Sequence, residues 1–113
     1  MNADTKRRLE QILIFANKIQ SRTKSETLET FLANEERQES VLYCLGQIGE
    51  TASKISDEEQ EKYPTLFWRQ MIGLRHRLFH EYQEIDLVQI YEISQQPINS
   101  LIDELNTILS NNH

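Results

Sequence analysis

The chain has 113 residues, 27% of them charged, and a formal net charge of -6, which suits one domain around a single modest core. The acidic balance argues against broad nonspecific nucleic-acid binding, which draws on many phosphate contacts. No apolar run approaches the roughly eighteen residues of a membrane span, and MNADTKRRLE lacks the apolar core of a secretory signal, so a cytoplasmic protein with no membrane contact is expected.

Apolar residues recur at helical rather than alternating spacing from the first segment on. Leu9, Ile12, Leu13, Ala16 and Ile19 form one stripe, predicting an amphipathic helix over about residues 4 to 22, with Asp4 as its cap. Thr23 and Glu26 have capping-box spacing, which predicts a short second helix carrying Leu28, Phe31 and Leu32 into the core. Val41, Leu42, Leu45, Ile48, Ala52 and Ile55 place a third helix at about residues 35 to 56. The lone cysteine, Cys44, falls inside it and reads as a small buried apolar residue. SDEEQEKYP reads as a solvated loop, with Pro64 near the start of a fourth helix over about residues 65 to 79. After the turn EYQEID, Asp86 caps a last helical stretch bearing Leu87, Val88, Ile90, Tyr91 and Ile93. Pro97 kinks or restarts it, and Ile98, Leu101, Ile102, Leu105 and Ile108 continue the stripe. The fold expected for residues 1–113 is a single all-α domain, an antiparallel bundle of four to five helices with the short helix as a lid.

The fourth helix breaks its own pattern. Trp68, Met71, Ile72 and Phe79 define an inward face, and Arg75 stands four residues from both Met71 and Phe79, where leucine is expected. A guanidinium there needs a carboxylate or an anion beside it. Two readings stand: an ion pair with an acid of another helix, Glu50 being one candidate, or a phosphate-gripping site. No acidic residue occurs between Thr65 and His80, while Arg69, Arg75, His76, Arg77 and His80 supply all the titratable groups. That is a small electropositive island suited to one phosphodiester. Histidine is the side chain best tuned to move protons near neutral pH. Tyr82, two residues beyond His80, is either a half-buried ring or a hydroxyl that touches phosphate or is modified. His76 and His80 lie four apart, but no third ligand for a metal is evident, and no cofactor is implied.

Arg75, four residues, His80, one residue, Tyr82 resembles the R-x(4-6)-H-x-Y signature of HepT-like toxins in the HEPN superfamily of helical ribonucleases. The resemblance spans nearly the whole chain. It includes the Gly49-Glu50 step, the approach Pro64, Trp68, Gly73-Leu74-Arg75, and the Asp86 cap. His76 departs from the small polar residue usual after the arginine, and Thr51 from the alanine usual after Gly-Glu. The resemblance implies a homodimeric, metal-independent endoribonuclease toxin with Arg75 and His80 catalytic, while the electropositive island makes Arg69, His76 and Arg77 candidates for RNA binding or an auxiliary role. The resemblance also implies a toxin–antitoxin pair whose minimal nucleotidyltransferase antitoxin transfers AMP to Tyr82. The rival reading keeps the fold and drops the chemistry: a noncatalytic substrate- or nucleotide-binding subunit of a nucleotidyltransferase. A further rival is a structural domain in which Arg75 is only ion-paired.

Overall fold

The computed structural model describes the backbone of residues 1–80 and 84–111 and, apart from residues 79 and 80, their side chains. Among the described residues seven helical segments follow one another: α1 (Ala3–Thr23), α2 (Leu28–Leu32), α3 (Glu35–Ser53), α4 (Asp57–Gln60), α5 (Trp68–His80), α6 (Leu87–Ile93) and α7 (Gln96–Ser110). There is no strand among the described residues. Four of the segments are long, as the periodicity requires, and three are short.

Local chemistry sets the boundaries. Helix α1 is capped by Asn2, whose side chain accepts from the Thr5 backbone N–H at 2.7 Å. Asp4, expected as the cap, sits inside the first turn and pairs with Arg7 and Arg8, a favourable place for an acid at the positive end of the dipole. Helix α2 is closed by a capping box between Thr27 and Thr30 rather than Thr23 and Glu26. Because α2 has barely more than one turn, it can present only one side inward. Phe31 is fully buried, while Leu28 and Leu32 stay 38% and 43% exposed, contrary to their expected burial.

The acidic stretch after α3 is not simply a solvated loop. Ser56 accepts from the Glu59 N–H and starts the one-turn α4, and Glu59 turns inward to receive Asn2 Nδ2 at 3.1 Å and Thr5 Oγ1 at 3.0 Å, with Lys62 on its other oxygen. A carboxylate with three donors can be buried where an unpaired one cannot. Pro64 lies in the exposed turn before α5, which begins at Trp68, later than expected. The Trp68 indole donates to the Tyr63 carbonyl at 3.0 Å and closes that turn. Asp86 caps α6 as expected, accepting from the Val88 and Gln89 N–H groups. The chain breaks at Ser94 and Gln95 and restarts as α7 with Pro97 in its first turn.

Helices pack in the order α5, α3, α1, α7. Arg22, at the end of α1, touches Ser40 near the start of α3, so these two run antiparallel. One cluster joins Leu9, Ile12 and Ile19 to Leu45 and Ile48, to Met71, Leu74 and Leu78, and to Ile90, Leu101 and Leu105. Between α5 and α7 runs an apolar groove of about 520 Å³, floored by Leu45 and Ile48 and walled by Met71, Leu74, Ile98 and Leu101. No described helix is long and apolar enough to cross a membrane.

Candidate active site

Helix α5 buries Trp68, Met71, Leu74 and Leu78. The last two were not on the inward face expected from the sequence, and Ile72, which was, is only half-buried. The true stripe is therefore turned so that Arg75 falls on its flank, with a side chain 41% exposed. It is not a desolvated core charge. Its Nε donates to Glu50 of α3, and Glu50 also meets Lys54 Nζ at 3.7 Å. The Arg75 hydrogen bond, foremost, holds the Glu50 carboxyl below its usual range against the opposing effect of burial. Both readings of Arg75 thus keep a footing. The ion pair with Glu50 exists, and the Arg75 side chain is still partly exposed to solvent.

Gly49 makes that pairing possible. A Cβ at this position would stand 2.5 Å from the Met71 carbonyl oxygen, 2.7 Å from Arg75 Cβ and 2.9 Å from Arg75 N. Only a residue without a side chain lets α5 lie so close to α3, and that closeness brings Glu50 of the next position to Arg75. The Gly-Glu step was visible as a pattern; the backbone approach it serves was not.

The other cationic candidates separate around α5. Arg77 is two residues from Arg75, hence on the opposite flank, where it donates to Gln89 of α6. Arg69 and His76 are exposed on the outer face. The structure therefore brings Arg75 together with Glu50 and Lys54, and directs Arg77 toward the groove between α5 and α7. His80 is the last residue of α5, and its side chain lies outside the described residues, as does Tyr82 altogether. Lys54 was missed in the sequence, although its spacing of four from Glu50 is the ordinary signal for a helical ion pair. Among the described residues no three His, Cys, Asp or Glu side chains converge as ligands for a metal.

Comparison with known proteins adds to this geometry. Residues 12–108 match the family model described as Ribonuclease HepT-like. Among curated proteins, the chain is 31% identical over 106 residues to "Putative RNase MJ0125" of Methanocaldococcus jannaschii, covering 94% of this chain and 91% of that one. It is likewise 31% identical to "Putative RNase MJ1216" of the same organism, covering 94% and 88%. Identity to "Probable ribonuclease HepT" of Thermococcus cleftensis is 29% over 93 residues, covering 82% and 84%. No solved structure matches the chain.

Proposed function

The chain belongs to the HepT-like ribonuclease family, with the activity of an endoribonuclease, and from that premise we propose that it is a metal-independent toxin cutting RNA at the Arg75, His80 and Tyr82 motif. The observation that carries the assignment of the site is Arg75 itself. It is a permanently charged group, held by a carboxylate on the neighbouring helix yet 41% exposed, on a helix without an acidic residue. Such an arrangement orients a guanidinium for a phosphate without burying it.

In the proposed reaction the ribose 2′-oxygen attacks the adjacent phosphorus and the 5′-oxygen leaves, forming a cyclic phosphate. His80 takes the proton from the 2′-hydroxyl or gives one to the leaving oxygen. Arg75 stabilises the charge that builds on the nonbridging oxygens. Glu50 positions Arg75 and does not touch the substrate. One histidine cannot readily serve as base and acid in the same step, so the active species is a homodimer with two motifs facing one cleft. His76 is a candidate for the second proton carrier within a single chain.

The proposed partner is a minimal nucleotidyltransferase antitoxin. It transfers AMP from ATP to the Tyr82 hydroxyl, whose oxygen attacks the α-phosphorus as pyrophosphate leaves. The added phosphate then occupies the cationic site and excludes RNA. Expression of the wild-type chain without a partner, beside His80→Ala and Tyr82→Phe, tests the reading. Growth arrest and RNA cleavage abolished by His80→Ala are expected. A folded, dimeric wild-type protein that neither arrests growth nor cuts RNA would point instead to a noncatalytic subunit.

A further inference from the structure

The exposed stripe of α3 does not end at Glu50. Gln47 and Tyr43 precede it at spacings of three and four, which puts all three side chains on one face. Tyr43 lies about 10 Å from Glu50 along the helix, two turns away, and is 62% exposed. Its ring meets Phe15 of α1 nearly edge-on, with centroids 6.2 Å apart at 71°. Lys18 Nζ stands 5.3 Å from the centre of the Phe15 ring. One turn further along α1, Arg22 donates to Ser40 Oγ at 2.8 Å and to Cys44 Sγ at 3.4 Å.

Two cations lie beside these rings on an otherwise acidic chain, while Glu36 and Glu39 stand seven and four residues before Tyr43 on α3. Neither Lys18 nor Arg22 is ion-paired among the described residues, where the salt bridges involve other cations. The two charged groups that act on the nearby Cys44 thiol are these same cations. An exposed ring braced by a second ring, with two cations beside it that form no salt bridge among the described residues, has the makeup of a single-strand stacking platform. The ring offers a face to any base, and the cations take the flanking phosphates. The surroundings of Tyr43 also include the polar groups of Ser40 and Gln47, which suit a wet, charged ligand better than an apolar protein surface.

We propose that the α1–α3 face bearing Phe15, Lys18, Arg22 and Tyr43 is a subsite that stacks an unpaired base and holds adjoining phosphates of an RNA strand whose scissile bond lies at Arg75. The proposal rests on the ribonuclease reading above and assigns the path of the strand away from the cut. It makes the enzyme selective for single-stranded RNA, since a base paired within a duplex has no free face for Tyr43.

The test is fluorescence anisotropy with a labelled single strand of about twelve nucleotides, 2′-O-methylated throughout so that it binds without being cut. Cleavage of the all-ribose strand by wild type is followed in parallel, and the mass of each variant is measured by light scattering. Tyr43→Ala is expected to weaken binding about tenfold or more, and Tyr43→Trp to retain it. Lys18→Gln is expected to reduce the slope of log affinity against log salt by about 0.7. If wild type cleaves RNA while Tyr43→Ala binds as tightly as wild type, the subsite is wrong and the ribonuclease reading survives. A drop in mass for Tyr43→Ala would make the face a subunit contact, which also overturns the proposal. Wild type that neither binds nor cleaves would refute the ribonuclease reading itself, and the subsite with it.

Discussion

Replacing Gly49 by alanine tests whether the close approach of α3 and α5 places the candidate catalytic arginine. The added methyl would lie 2.5 Å from the Met71 carbonyl oxygen, where ordinary contact begins at 3.4 Å, so α5 must retreat by about 0.9 Å. Two of the three atoms it meets belong to the α5 backbone and cannot swing aside. Overpacking of this kind costs about 1–3 kcal/mol, opposed by the gain of about 1 kcal/mol from alanine over glycine in a helix. The net expectation is a loss of about 1 kcal/mol. Gly73 provides the control, because nothing stands within 4 Å of a Cβ built there. Gly73→Ala should therefore show only the helix preference and stabilise by up to about 1 kcal/mol. Urea unfolding followed by the fluorescence of the single, buried Trp68 measures both. A displacement near 1 Å at Arg75 should in addition lower RNA cleavage by up to about a hundredfold in Gly49→Ala, more than its modest loss of stability explains. Gly49→Ala as stable as Gly73→Ala, with cleavage intact, would refute the argument that this contact sets the position of Arg75.

Asp4, Glu50 and Glu59 all have lowered pKa values, held down foremost by hydrogen bonds from Arg8, Arg75 and Lys62 respectively. For such groups the stability contributed is complete above the unfolded values, 4.5 for the two glutamates, and is lost as pH falls through the lower folded ones. The urea midpoint should thus hold from about pH 7 to 5 and decline below about 4.5, with a shallower acid limb in Glu59→Gln. Burial, against the pull of Arg22 and Lys18, raises the Cys44 pKa, so at pH 8 iodoacetamide should alkylate the thiol far more slowly in the folded protein than in urea. Equal rates would show that the thiol is not shielded. Phe31 is fully buried and stacks at a tilt on Tyr91, with centroids 5.6 Å apart. Phe31→Ala should cost about 3–5 kcal/mol in urea unfolding. Tyr91→Phe, which removes only the hydrogen bond to the Glu26 carbonyl, should cost about 1 kcal/mol.

The helical class, the four long helices and the positions of α6 and α7 follow from patterns within single segments. Ile12 and Ile19 must share a face whatever they pack against, Asp86 finds its acceptor role within three residues, and Pro97 lacks the donor that would continue a helix. The Gly49-Glu50 step is legible for the same reason. Other features depended on partners distant in the chain. The burial of Glu59 required Asn2 and Thr5 more than fifty residues away, so an acidic run read as solvent-facing until those donors were in place. Leu28 and Leu32 are apolar enough for the core but sit on a helix too short to turn them inward with Phe31. The buried stripe of α5 lies a fraction of a turn from the face its periodicity suggests, which puts Arg75 at the rim rather than in the core. Periodicity names the apolar residues of a helix, but the direction in which the helix is rolled is decided by the surface it meets. Here that surface is α3 at Gly49, where the absence of one side chain lets the two backbones touch and sets Arg75 against Glu50.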